Sequence, residues 1–272
     1  MQLFAELTGL MGKHAFSPKK ALGQHFIVSE ELIKRIVEEA KLSREDVVLE
    51  IGSGTGFLTR EIQKHCRVIA IEIDERLCQL LEQELEKKNL ELLCADFLQA
   101  ELPSFNKIVA FPPYAISSKI MQRLFSQEFD VALLVFQKEF VEKLFAEPGF
   151  FDYNAMSVLT QYYFSPSIVC AVSKNCFFPK PQSDSLLIKL VSKKRFGKAK
   201  QEQLFQLFVK SVFRFGNKNL RKALHISLQF FEKEFNANKK EFEGKTEQIK
   251  IKEKKVNLLE VREFVDVFNY LF

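Results

Sequence analysis

The chain has 272 residues, 47% of them apolar and 28% charged; this is length enough for a large core and excludes wholesale disorder, a collagen-like repeat or a disulfide scaffold. Phe occurs 29 times, Trp never and Gly only 10 times, so glycines that cluster are placed for backbone reasons. The net charge of +5 is uneven: residues 1–190 carry 21 Lys and Arg against 25 Asp and Glu, and residues 191–272 carry 19 against 10, which suits a polyanionic partner on the C-terminal side or a solvated Lys/Glu surface.

Ser29 can cap a helix in which Leu32, Ile33, Ile36 and Val37 recur at helical spacing through Ala40. Residues 47–51 read as a short buried strand bounded by polar residues and glycines. Helices over 57–64 and 75–88 then alternate with strands over 68–73 and 90–94. Strands over 108–111 and 131–136 and helices over 118–125 and 138–145 continue the pattern. It predicts an α/β fold, a mostly parallel sheet with helices on both faces.

After Pro148 the order changes. A helix over 156–163 precedes two strands, 168–172 and 186–191, around a Pro-containing loop at 177–185, which together suggest an antiparallel edge. From Lys193 onward the pattern is helical and basic, with Leu204, Phe205, Phe208 and Val209 on one face as a core stripe. A boundary near residue 193, with Lys193, Lys194, Arg195 and Gly197 in the connection, divides the chain into domains 1–192 and 193–272.

The five cysteines (Cys66, Cys78, Cys94, Cys170, Cys176) are odd in number and form no C-x-x-C pair, so they read as reduced core residues. The four histidines lack metal-ligand spacing, and no metal is expected. The first thirty residues have no signal-peptide core and no apolar run reaches the length of a membrane span, which predicts a soluble, cytoplasmic protein.

The sharpest motif is EIGSGTG at 50–56, between the first buried strand and its helix. Glycines there allow a tight turn and let backbone N–H groups approach a ligand, although the G-x-G-x-G spacing differs from the G-x-G-x-x-G of nicotinamide dinucleotide sites. Glu72 ends the next strand, where a carboxylate can accept both hydrogen bonds of a ribose diol. Asp96 follows the third strand, placed to take an exocyclic adenine amine while Phe97 packs on the ring. Glycine turn, ribose acid and adenine acid at three successive strand ends point to S-adenosylmethionine. At the fourth strand end, Phe111-Pro112-Pro113-Tyr114 lacks two amide donors and so presents carbonyls beside an aromatic face, which suits a substrate base.

Taken in order, KALGQHF (20–26), LEIGSGTGFLT (49–59), IEID (71–74), PYAISS (113–118), FFPKP (177–181) and FRFGNKNLRKAL (213–224) resemble the ribosomal RNA adenine dimethyltransferases, most closely the archaeal and eukaryotic branch. The resemblance implies a Rossmann-like class I methyltransferase domain with a mostly parallel seven-stranded sheet, plus a small C-terminal helical domain that is basic and binds rRNA. It implies transfer of methyl groups from S-adenosylmethionine to N6 of two adjacent adenines near the 3′ end of small-subunit (16S) rRNA, in ribosome biogenesis. By position, His25 and Ile27 line the methionine side of the cofactor, Gly52 its carboxypropyl end, Glu72 the ribose and Asp96 the adenine, with Gly54 and Phe111 also in the cofactor site. Tyr114 and Phe177 sandwich the flipped target base. Lys19, Lys20, Arg214, Lys218, Arg221 and Lys222 are the expected RNA contacts. The expected partner is small-subunit rRNA in a pre-ribosomal particle, with no membrane and a monomeric protein.

One position departs from the family. Its catalytic tetrapeptide is Asn-Leu-Pro-Tyr, whose Asn side chain and following carbonyl accept hydrogen bonds from the adenine amine. Phe111 cannot accept, and only the Pro112 carbonyl remains at the catalytic position; Ser183 also replaces the usual Val of the FxPxP loop. The leading expectation is an active rRNA adenine dimethyltransferase. A catalytically weak or silent rRNA-binding assembly factor of the same fold, and a drug-resistance methyltransferase of large-subunit rRNA, are the alternatives.

Overall fold

The computed structural model describes residues 2–193 and 201–272, and the expected connection through Lys194, Arg195 and Gly197 lies outside the described residues. In chain order the elements are α1 (Gln2–Lys13), β1 (Phe26–Ile27), α2 (Glu30–Ala40), β2 (Val47–Ile51), α3 (Phe57–Ile62), β3 (Arg67–Glu72), α4 (Glu75–Glu84), β4 (Leu90–Cys94), β5 (Lys107–Ala110), α5 (Ser117–Leu124), β6 (Val131–Gln137), α6 (Lys138–Phe145), α7 (Ala155–Tyr163), β7 (Phe164–Val172), β8 (Phe177–Phe178), β9 (Ser185–Ser192), α8 (Glu202–Phe213), α9 (Leu220–Phe235), α10 (Lys239–Gln248) and α11 (Val261–Leu271). They form two compact units, Met1–Val141 with Pro166–Ser192, and Glu142–Ser165 with Lys193–Phe272.

A seven-stranded sheet in the order β4-β3-β2-β5-β6-β9-β7 organises the first unit. β2 pairs in parallel with both β3 and β5, β3 with β4 and β5 with β6, whereas β9 runs antiparallel to β6. Strand order therefore reverses at β2, and in such sheets the crevice at the carboxyl ends on either side of the reversal is where ligands bind. The apolar runs explain the parallel strands: Val48, Leu49, Val68, Ile69 and Ala70 are wholly buried, as strands covered on both faces require. Helix starts follow local chemistry. The Ser29 hydroxyl accepts from Leu32 N at 3.2 Å to begin α2, and the Asp74 carboxylate accepts from Arg76 N to begin α4.

Phenylalanine holds the second unit together. Phe205, Phe208, Phe231, Phe264 and Phe268 have no exposed surface, and Phe268 meets Phe205 and Phe208 at ring-centroid distances of 5.5 Å each. Asn154 caps α7 and Asn219 caps α9, accepting from Met156 N at 2.7 Å and Lys222 N at 3.0 Å.

The structure differs from the sequence reading in several respects, among them that α3 ends at Ile62 and β7 begins at Phe164. Glu142–Ser165 packs with the C-terminal helices instead of remaining with residues 1–192, because α7 buries Val158 and Leu159 and its Tyr162 meets Phe205 of α8. α1 and the two-residue pair β1–β8, with Phe26 opposite Phe178 and Ile27 opposite Phe177, were not foreseen, since two residues carry no periodicity. α4 ends at Glu84, short of residue 88. Finally, Cys78 and Cys94 are joined by a disulfide, correcting the expectation that all five cysteines are reduced. α4 packs back on β4 so that the two Cα atoms lie 5.9 Å apart across a separation of 16 residues, a pairing that no C-x-x-C spacing announces.

Candidate functional site

The glycine turn after β2 opens the site. Gly54 has φ +57°, and a Cβ there would stand 3.3 Å from the Phe26 ring; Gly56 has φ +79° and a Cβ 2.7 Å from Leu81. Only glycine fits both. The turn is tied to the neighbouring strand by Gly52 N donating to the Ile71 carbonyl at 2.8 Å.

Glu72, at the end of β3, is buried, with 6% of its surface exposed. Its Oε1 accepts Ile73 N and Asp74 N at 3.0 Å each, and its Oε2 accepts Gly54 N at 2.9 Å. Burial pushes this carboxyl above its ordinary range while the three amides pull it back. A carboxylate has roughly four acceptor positions, so Glu72 keeps one for a ligand, where the sequence reading expected two.

Asp96 stands across the same cavity with Glu72, Phe97 and Phe111. Leu98 N and the Gln99 amide orient its carboxylate at 2.8 and 3.3 Å. Phe97 is held by the Arg123 guanidinium, 4.8 Å from its ring centroid. A charged, hydrogen-bonded group and a flat apolar wall thus stand side by side in the cavity. Ile73, half exposed on the same cavity, is a residue the sequence reading missed. Its signal is an apolar side chain straight after the strand-end acid, where solvent would favour a polar one.

A loop over residues 19–26 covers this cavity with Leu22, Gly23, Gln24 and His25. Asp74 fastens it, accepting from the Gln24 amide at 3.0 Å and from Lys19 Nζ at 3.1 Å, while Arg76 Nη2 donates at 2.7 Å. The Arg76 guanidinium, with Gln24 and Lys19, holds the Asp74 carboxyl well below the usual range. Asp74 was read only as part of the IEID motif, and its role as an anchor depends on a contact 50 residues away in sequence.

A second, narrower cleft adjoins the first, and Gly23, His25 and Phe111 line both. Pro112, Tyr114, Val135 and Phe177 complete it. The Tyr114 hydroxyl is 2.6 Å from Ser185 Oγ, and its ring stacks on His25 at 5.9 Å and 27°. His25 Nδ1 donates to the Pro179 carbonyl at 2.6 Å. Phe111 meets Phe177 edge to face at 5.9 Å. All four expected catalytic residues thus converge on one cleft. Ile27 does not reach either cavity; it is buried in the apolar core, paired with Phe177.

Beneath the glycine turn, Glu50 is 2% exposed and accepts from Thr59 Oγ1 at 2.5 Å. Burial pushes its carboxyl up to about 8, so it is mostly protonated at neutral pH.

The expected RNA contacts differ among themselves. Arg214, Lys218 and Lys222 are exposed and form no ion pair among the described residues, whereas Arg221 reaches Glu253 at 3.2 Å and Glu247 at 3.8 Å. Lys20 is exposed, but Lys19 is committed to Asp74.

Sheet order, glycine turn and strand-end acids together define a Rossmann-like class I methyltransferase. Residues 15–271 match the ribosomal RNA adenine dimethylase family, and the chain belongs to that family. It is 37% identical over 219 residues to a probable ribosomal RNA small subunit methyltransferase A of Pyrococcus abyssi, covering 80% of each chain. A protein of the same description from Thermococcus sibiricus is 33% identical, over 99% of this chain and 97% of the relative. Among solved structures, a dimethyladenosine transferase from Plasmodium falciparum superposes with a TM-score of 0.78 at 27% identity, covering 89% of this chain and 96% of that one. The 23S rRNA methyltransferase ErmE gives 0.65 at 27% identity, covering 90% and 99%.

Proposed function

We propose that this chain dimethylates N6 of two adjacent adenines near the 3′ end of small-subunit rRNA, with S-adenosylmethionine as methyl donor. The observation that carries the reading is the wall shared by the two cavities: His25, Gly23 and Phe111 belong to both, so a nucleoside held by Glu72 and Asp96 adjoins a base held between Tyr114 and Phe177. When bound, S-adenosylmethionine supplies an electrophilic methyl group. Glu72 would accept from the ribose and Asp96 from the adenine amine of the cofactor, while Asp74 holds the 19–26 loop beside them through Lys19 and Gln24. Tyr114, its ring fixed by Ser185 and His25, and Phe177 grip the flipped base. The Pro112 carbonyl would accept from the target amine and align its lone pair with the methyl group, whose bond to the cofactor sulfur would break as the bond to N6 forms; the amine proton would then pass to water, so alignment is the main catalytic contribution.

Arg214, Lys218 and Lys222 with Lys20 contact rRNA phosphates, and the second unit serves as the RNA-binding domain. The protein acts as a monomer on a pre-ribosomal particle in the cytoplasm. Incubation with undermethylated small subunits, followed by mass spectrometry of the rRNA 3′ end, should detect N6,N6-dimethyladenine. Phe111→Asn restores a second acceptor and should raise the rate, since one neutral hydrogen bond is worth about 1 kcal/mol and a preorganised transition-state contact about 3–4 kcal/mol. If wild type and Phe111→Asn are both inert on particles they bind tightly, the methyltransferase reading is wrong.

A further inference from the structure

In a unit that hides most of its phenylalanines, two adjacent ones are left in solvent. Phe150 is 66% exposed and Phe151 is 101% exposed. Single exposed apolar side chains are ordinary, whereas two adjacent rings held in solvent form a small contiguous apolar patch. The loop that carries them is rigid. Gly149, at φ +90°, donates its N–H to the Asn257 carbonyl at 2.8 Å, and Tyr153 N donates to the Phe150 carbonyl at 3.1 Å. The buried Tyr153 hydroxyl then donates to the Leu259 carbonyl at 2.8 Å, and Asn154 begins α7. Every backbone anchor needed to hold the loop is present, yet both rings point away from the core.

The same anchor holds the basic turn between α8 and α9. Asn257 N donates to the Gly216 carbonyl at 2.9 Å, Val256 N donates to the Lys218 carbonyl at 3.0 Å, and Lys255 bridges to Asn219. The three-residue turn Val256–Leu258 therefore carries the aromatic loop on one side and the 214–219 turn on the other. Arg214, Lys218 and Lys255 are exposed and unpaired among the described residues. Leu258, 42% exposed, lies where a Cβ on Gly149 would touch it at 3.3 Å, and so continues the apolar surface.

We infer that Phe150 and Phe151 form a stacking platform for unpaired bases of the rRNA substrate, with Lys218, Lys255 and Arg214 on the adjoining phosphates. The inference rests on the rRNA reading above and adds a contact outside the methylated base's cleft. Aromatic faces beside a cationic track are the chemistry of single-stranded nucleic acid, because every base offers a π-face and every linkage a negative charge. Glu147 and Asp152 flank the rings in the loop, which keeps phosphates on the 214–218 side and leaves the rings to the bases. The apolar area, two rings and part of one leucine, is small for a protein interface.

The test uses the full chain with an unstructured 12-nucleotide RNA, with protein-free small-subunit rRNA and, for comparison, with protein-containing small-subunit particles. Phe150→Ala combined with Phe151→Ala should weaken binding to both RNAs by roughly five- to a hundredfold, with S-adenosylmethionine affinity and the circular dichroism spectrum unchanged. Phe151→Trp should retain binding and Phe151→Leu should lose it. Unchanged RNA affinity in the double variant overturns the platform, as does full recovery with Leu. A loss seen only on protein-containing particles means that the partner is a protein, and also overturns it. Methylation by the wild-type chain is read separately: if it fails, the enzymatic reading falls, and the RNA titrations still decide the platform.

Discussion

The two units bury apolar surface by opposite means. In the sheet unit, parallel strands present flat layers, and branched aliphatic residues such as Val48, Ile69 and Val109 fill them. The polar groups of the site stand at the strand ends, each locked by backbone amides. In the helical unit the spaces between helices are irregular and rings fill them: Phe208 touches Phe231, Phe268 and Phe272. Its candidate functional groups are all on the surface. The sheet unit therefore puts chemistry where the backbone is most constrained, and the helical unit puts charge where it is least constrained, so substitutions in the two should fail in different ways.

The strongest test of that contrast is Phe208→Ala. Truncating a fully buried Phe costs about 3–5 kcal/mol, and unfolding followed by circular dichroism and hydrogen exchange should show the loss in α8, α9 and α11. Affinity for S-adenosylmethionine should persist at temperatures where the helical unit has already unfolded. Loss of cofactor binding in step with helix protection would mean that the units are one cooperative body.

Glu50 provides the corresponding test in the sheet unit. Its folded carboxyl is raised to about 8 from an ordinary 4.5, so the folded state holds a proton that the unfolded state releases. Stability contributed by the protonated form is therefore full below pH 4.5 and lost as pH climbs through 8, on the order of 5 kcal/mol in all. Glu50→Gln keeps an acceptor for Thr59 and cannot ionise. Denaturant midpoints of this variant should be flat between pH 5 and 8 where those of wild type fall; a flat wild-type profile would show that Glu50 is ionised in its buried site.

At the strand ends, Glu72→Ala and Asp96→Ala should each weaken S-adenosylmethionine binding in calorimetric titration, by about 1.5–3 kcal/mol per charged hydrogen bond lost. Glu72→Ala should also lower the melting temperature, because the Ile73, Asp74 and Gly54 amides lose their acceptor. Asp96→Ala strands a single backbone amide, Leu98 N, and should melt closer to wild type. Equal melting temperatures for the two variants would break the assignment of Glu72 as part of the backbone scaffold.

These residues also show what the sequence made legible. The glycine turn, Glu72 and Asp96 could be read because a parallel sheet puts successive strand ends at one edge, so local spacing becomes spatial proximity. Tyr114 and Phe177 needed the family resemblance, since no local pattern joins residues 63 apart; their meeting depends on the β1–β8 pair, which is too short to see. The Cys78–Cys94 disulfide and the Asp74 anchor were missed for the same reason, being contacts fixed by packing between elements. The exposed Phe150 and Phe151 escaped because apolar residues in a sequence are taken for core until a structure shows which face they occupy.

The smallest expected effect separates basic residues that look alike in the FRFGNKNLRKAL stretch. Lys218 is exposed without an ion pair among the described residues, whereas Arg221 sits between Glu253 and Glu247. A phosphate contact made by a free cation releases its condensed counterions, so removing it should reduce the slope of log affinity against log salt by about 0.7–0.9. Arg221 would have to leave two carboxylates to do the same, and exposed pairs of this kind are worth about 0.2–1 kcal/mol. That cost offsets most of what one phosphate contact adds. Titrations of small-subunit rRNA between low and moderate salt should therefore give Lys218→Ala a visibly shallower slope and leave Arg221→Ala near wild type. Should Arg221→Ala flatten the slope as much as Lys218→Ala, the guanidinium exchanges its carboxylates for phosphate on binding, and surface charge in the helical unit is more adaptable than its ion pairs suggest.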